Sequence, residues 1–136
     1  MQKAGHWKEL GSMLALLSKQ FLPEADILVI ATNTMHKVAE QIEQVSGKKV
    51  LHIGDVTARA IKRERLTKVG LLGTRFTMQE NFYKDLLRNY EIEVAVPESM
   101  EINQVDSIIY DELVKGVISA EAKNKQENII RRLVEE

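Results

Sequence analysis

"VIATNTMHKVA", residues 29–39, decides how this chain is read. It opens as the end of an apolar, β-branched run and closes in a helical pattern. Between the two stand Thr32, Asn33 and Thr34, three small polar side chains in a row. One such residue is enough to stop a strand and cap a helix. Three imply a turn that also holds something.

Working outward, "DILVIAT" (26–32) is a continuous apolar run, the signature of a parallel strand covered on both faces. After the turn, Val38, Ala39, Ile42 and Val45 share one face of a helix that ends near Gly47. The alternation then repeats. "KVLHIGD" (49–55) reads as a strand, "VTARAIKRERL" (56–66) as a short helix, and "KVGLLGT" (68–74) as a third strand. "TMQENFYKDLLRNY" (77–90) is an amphipathic helix carrying Met78, Phe82, Leu86 and Leu87, and "EIEVAVP" (91–97) alternates as a strand does. Before the opening stretch, Leu10, Met13, Leu14, Leu17 and Phe21 recur at helical spacing over 6–21, with Pro23 as a stop. Two helices, about 101–115 and 119–135, finish the chain, divided by Gly116 and a Ser119 cap. The order predicts an α/β fold, a parallel sheet flanked by helices. The chain begins on a helix and finishes on "IIRRLVEE" with no strand after it, so it reads as part of a sheet that needs more chain.

Composition narrows the function. The chain has 136 residues, a net charge of −1, 44% hydrophobic and 29% charged residues, which fits a compact globular protein. That balance gives no reason to expect nucleic acid or a membrane surface as a partner. The basic stretch "RAIKRERLTK" (59–68) has no aromatics interleaved and reads as a solvated helix face. No apolar run spans a bilayer and residues 1–6 lack a signal-peptide core, so a cytoplasmic enzyme or binding domain is expected. With no cysteine, disulfides, thiolate metal sites and cysteine nucleophiles are excluded, and the His and acidic spacings form no metal set.

In open α/β sheets, ligands bind beyond the carboxyl ends of the strands. Three polar turns fall there: Thr32-Asn33-Thr34, Gly54-Asp55, and Gly73-Thr74-Arg75-Phe76-Thr77. Helix N-termini offer free N–H groups, so the first and last suit a carboxylate or a phosphate. No phosphate-loop or dinucleotide fingerprint is present, which disfavours the phosphate. His6 and His52 read as structural or surface residues, and His36, two residues into the helix, as a capping or packing residue.

Together, "VIATNTMHKVA", "LHIGDVTARAI", "VGLLGTRFTMQENFY" and "INQVDSIIYDELVKG" resemble the aspartate/glutamate racemase family over nearly the whole chain. The most specific part is the N-T-x-H turn about forty residues before L-G-T-x-x-T. The resemblance implies two pseudo-symmetric doubly wound halves, residues 1–62 and 63–136, with the active site in the cleft between them. It implies an isomerase that needs no cofactor, a small acidic amino acid as substrate, and a fold whose apolar helix faces would permit a homodimer. Two bases, usually cysteines, face each other across Cα; one removes the α-proton and the other returns a proton. Here Thr32 stands where the first cysteine is expected, as in some members, implying a restricted or one-sided proton transfer. The glycine-rich opening strand and the segment with the second cysteine are absent from the 136 residues. By position, Asn33 and Thr34 would bind the α-carboxylate and amino end, Thr74 and Thr77 would add hydroxyls, and Lys115 would meet a side-chain carboxylate; Gln2 aligns loosely with a position of the same use. A catalytically inactive relative that only binds a dicarboxylate is the alternative, and a generic doubly wound domain or a related lyase or isomerase remains open.

Overall fold

The computed structural model describes residues 5–21 and 24–135, without the side chain of Phe21. Gln2, Pro23 and the Phe21 side chain therefore lie outside the described residues. Two compact units divide the chain, Met1–Thr57 and Ala58–Glu136. Each is built on a parallel pair of three-residue strands.

In the first unit α1 (Trp7–Phe21) precedes β1 (Ile27–Val29). A tight 3-10 turn (Thr34–Val38) runs into α2 (Ala39–Ser46), followed by β2 (Lys49–Leu51) and the start of α3 (Ile53–Arg63). Ile27 pairs with Lys49, Leu28 with Val50 and Val29 with Leu51. A parallel pair cannot be closed by a hairpin, so the chain crosses back through α2. Leu28 is buried with Leu10, Ala15, Met35, Val38 and Ile42. Gly11 leaves room for the end of the Gln41 side chain of α2: a Cβ there would stand 2.0 Å from Gln41 Oε1. From that position Gln41 Nε2 donates to Ser12 Oγ at 3.0 Å. The αL residue Gly47 (φ 71°) ends α2, as its position in the sequence predicts.

The expectation that "DILVIAT" is covered on both faces is corrected here. Successive strand side chains point to opposite faces. Leu28 faces the α1/α2 core, whereas Ile27 and Val29 are 50% and 68% exposed, with Leu51 at 46% on the neighbouring strand. All four strands are also shorter than the apolar runs that contain them. Val45, expected on the buried face of its helix, is exposed.

In the second unit the rest of α3 leads to β3 (Lys68–Gly70), α4 (Arg75–Gln79), α5 (Asn81–Asn89) and β4 (Glu93–Ala95). Next come α6 (Ser99–Ser107), a wide π turn (Ile108–Glu112), a 3-10 turn (Leu113–Lys115) and α7 (Ala120–Glu135). Lys68 pairs with Glu93, Val69 with Val94 and Gly70 with Ala95. Apolar clusters lie on both sides of this pair, although Lys68, Gly70 and Glu93 stay exposed. Val69, Leu71 and Val94 pack on Ala58, Tyr83, Leu87 and Ile92 of α3, α5 and the turn after it. Leu72, Ala95 and Val96 pack on Met78, Ile102, Val105, Ile129 and Leu133 of α4, α6 and α7. The α/β class is thus as expected, with parallel strands flanked by helices.

Two expected helices are interrupted. Glu80, in extended conformation (ψ 157°), splits 77–90 into α4 and α5. The helix expected over 101–115 widens into the π turn and then tightens. The break before α7 is as read: Gly116 is left-handed (φ 75°), and Ser119 Oγ accepts the Ala122 N–H at 3.0 Å. Arg132 and Glu101 make a two-pronged ion pair that ties α7 to the first turn of α6.

Two non-glycine residues, Arg65 (φ 58°) and Glu91 (φ 57°), are left-handed. Each sits just past a helix that feeds a strand of the second sheet. In each case the next residue closes back five positions, Leu66 N–H to the Ile61 carbonyl and Ile92 N–H to that of Leu87. This is the C-terminal helix stop usually given to glycine. A side chain in that conformation costs about 1–2 kcal/mol, offset in part by the freedom glycine adds to the unfolded chain. Arg65→Gly and Glu91→Gly should therefore each raise stability, by up to about 1 kcal/mol, in urea unfolding. A loss of stability in both variants would refute that account.

Candidate functional site

Thr32 and Asn33 lie exposed beyond the carboxyl end of β1, and Thr34 is buried beside them. Asn33 holds the position before the 3-10 turn with helical backbone (φ −61°), and its side chain makes no cap hydrogen bond. Its carbonyl accepts the His36 N–H at 3.1 Å instead. Helix capping, the ordinary reason for an Asn at such a place, does not account for this one. A cleft of about 260 Å³ lined by Leu14, Ser18, Leu28, Val29 and Met35 reaches Thr32.

His36, 3% exposed, fastens the turn from below. Its Nδ1 lies 2.9 Å from the Thr32 carbonyl, and its Nε2 accepts the N–H of Ile53, the first residue of α3, at 3.2 Å. A carbonyl only accepts and an amide N–H only donates, so the ring is neutral with its proton on Nδ1. His52 Nδ1 accepts the Gly54 N–H at 3.1 Å, and the two rings meet edge to face at 4.4 Å. Two imidazoles thus cap α3, which explains why that helix begins at Ile53 rather than at 56. Burial lowers the His52 pKa below its ordinary 6.5, against the smaller pull of Asp55 and Glu43.

In the second unit, Thr74 and Thr77 meet through their hydroxyls at 3.3 Å, with Thr77 buried. Gly73 is there for space. A Cβ on it would come within 3.1 Å of the Thr77 Cβ and Cγ2. The Arg75 N–H at the head of α4 is already taken by Asp106 Oδ1 at 2.7 Å. An anion arriving at this turn would meet a carboxylate. Lys115 is exposed, with Nζ 3.9 Å from Asp111. Such a surface pair contributes little, about 0–1 kcal/mol. The structure thus brings Thr32, Asn33 and Thr34 together in one unit, and Thr74 and Thr77 together in the other. The bridging role of His36 and the cap from Asp106 were not read from the sequence. Both bonds go to backbone far along the chain, which leaves no local signature.

No group of three or more metal-ligating side chains occurs among the described residues. No helix among them is long and apolar enough to cross a membrane.

The sequence profile of the Asp/Glu/hydantoin racemase family matches residues 1–136. The chain belongs to this family. A crystal structure described as that of an Asp/Glu racemase candidate from Yersinia pestis is similar with a TM-score of 0.88 and 39% identity, over 97% of this chain and 58% of that one. An aspartate racemase homologue from Pyrococcus horikoshii gives 0.71 and 30%, over 85% and 52%. An uncharacterized protein from the pnlA 3′ region of Pectobacterium carotovorum subsp. carotovorum is 35% identical over 69 residues, 46% of its length. The chain thus spans about half the length of these family relatives.

Two outcomes follow from the geometry of this family turn. Asn33→Ala removes no cap bond. It should change stability by no more than about 0.5 kcal/mol in urea unfolding, since it lies outside the mechanisms that cost more. A loss of about 1 kcal/mol or more would restore capping as its role. For His52, the folded state favours the neutral ring. Its contribution is full above pH 6.5 and is lost as pH falls through the lowered folded-state value. His52→Gln, which keeps an acceptor but no titrating group, should flatten part of the fall in stability between pH 7.5 and 5, within the ordinary His range. Parallel stability curves for the two proteins would contradict this.

Proposed function

We propose that the chain is part of a cofactor-independent amino-acid racemase of the aspartate/glutamate type. Thr32 occupies the first acid/base slot. Asn33 and Thr34 hold the α-carboxylate and amino end, Thr74 and Thr77 add hydroxyls, and Lys115 meets the side-chain carboxylate. The observation that carries this reading is the turn after β1. Thr32 and Asn33 are presented to solvent at the carboxyl edge of a parallel pair, and the Asn33 side chain is not spent on capping. Family membership over the whole chain supports it.

The reaction needs one group to take the Cα proton and another to return a proton on the opposite face. N–H and hydroxyl donors stabilise the carbanion-like state between those steps. Thr32 supplies one such group. None of the 136 residues is a cysteine, so a thiol for the other face is not among them. A hydroxyl is weakly reactive unless a neighbouring base activates it. That favours one second reading, a relative that binds a dicarboxylate and transfers no proton.

Incubation of the full-length protein in D₂O with each enantiomer of aspartate and glutamate tests both readings. The expected result is loss of the Cα–H NMR signal, slowed by about a hundredfold or more in Thr32→Ala, the usual scale of a lost acid/base group. Calorimetric binding without exchange would establish the second reading. Neither binding nor exchange would end both.

A further inference from the structure

We infer that His36 is a positioning residue for Thr32. Its neutral, Nδ1-protonated imidazole is a two-ended brace between the ligand-facing turn and the start of α3. This rests on the reading above, in which Thr32-Asn33-Thr34 holds the substrate.

Three observations carry the inference. First, Thr32 and Asn33 are exposed, and Thr32 lies three residues past Val29, the last residue of β1. The Thr32 carbonyl therefore sits outside the strand ladder and takes the His36 Nδ1 proton at 2.9 Å. Second, the other end of the ring is anchored on the Ile53 N–H at 3.2 Å, seventeen residues away. Third, the ring is buried, 3% exposed, and meets the His52 ring edge to face at 4.4 Å, so packing holds it in this orientation. Imidazole suits the task because it is rigid and offers a donor and an acceptor at opposite ends. Protonation would place a second N–H against the Ile53 N–H and release that end. The titrating and charged groups near the pair are His52 at the α3 cap, Asp55 in α3 and Glu43 in α2.

Residues placed in this way act through geometry, and a small misplacement of a reacting group costs rate steeply. Two variants separate bracing from bulk. His36→Leu fills the space and makes neither bond, whereas His36→Gln can keep a donor and an acceptor. In the first, exchange of the Ile53 amide, which loses its acceptor, should quicken by about tenfold, the scale of one lost hydrogen bond, and His36→Gln should recover most of that protection. Aspartate affinity and Cα–H exchange should follow the same order, with the wild type and His36→Gln within about threefold of one another. Long-range ¹H–¹⁵N spectra of the wild type should show the His36 proton on Nδ1.

A proton on Nε2 overturns the brace, whatever the protein binds. Equal protection of the Ile53 amide in both variants and the wild type overturns it too. If the brace signals are as expected and the wild type neither binds nor exchanges any of the four acids, the substrate reading fails and the brace stands as a feature of the turn alone.

Discussion

The pairing of Val29 with Leu51 sets the geometry of the first unit. Parallel strands in register end together, so the segments leaving them start from one edge. From β1 that segment is Thr32 to His36; from β2 it is His52 to Asp55. Only because both leave from the same rung can His36 reach the Ile53 N–H and lie 4.4 Å from His52. A slip of one residue would turn Leu28 out of the core and separate the two imidazoles. The second unit repeats the rule: Gly70 pairs with Ala95, and the Leu71 N–H continues the ladder to the Ala95 carbonyl at 2.8 Å. The turn through Thr74 and the approach to α6 therefore leave one edge, and α6 supplies Asp106 to the head of α4.

The two units use this rule with different cover. Around β3 and β4, partly buried side chains enter two separate apolar clusters, one on either side of the sheet. Around β1 and β2 one cluster lies under α1 and α2, and Ile27, Val29 and Leu51 stay open. Rigid local devices hold the helices in place: Gly11 under Gln41, the Glu101–Arg132 fork, and the Ser119 hydroxyl, which caps α7 while donating to Glu112 at 2.6 Å.

The legible part of the sequence was the part written in neighbouring residues. Gly47, Gly116 and Ser119 stop or start helices through bonds to residues a few positions away, and all three read correctly. The β–α alternation and the place of the Thr32–Thr34 turn were visible for the same reason. What failed depends on distant chain. A run such as Ile27-Leu28-Val29 has the same letters whether one face is covered or two; only the packing of α1 and α2 decides it. Glu80 is an ordinary helix residue that turns extended between Met78 and Tyr83, each buried in a different cluster. His36 and Asp106 bond to backbone seventeen and thirty-one residues off, and a backbone N–H has no letter in the sequence.

The Asp106 cap bears on the sign of the field at the second turn. Helix starts carry a partial positive charge that usually draws anions. At α4 an internal carboxylate, 2.7 Å from the first amide, has already answered that charge. The Thr74 and Thr77 hydroxyls therefore lie beside an amide that is already paired with a carboxylate and is not free to receive a second one. Two turns that look alike as strings of small polar residues thus differ in what they have left to offer: the Asn33 side chain makes no cap bond, whereas the first amide of α4 is already taken.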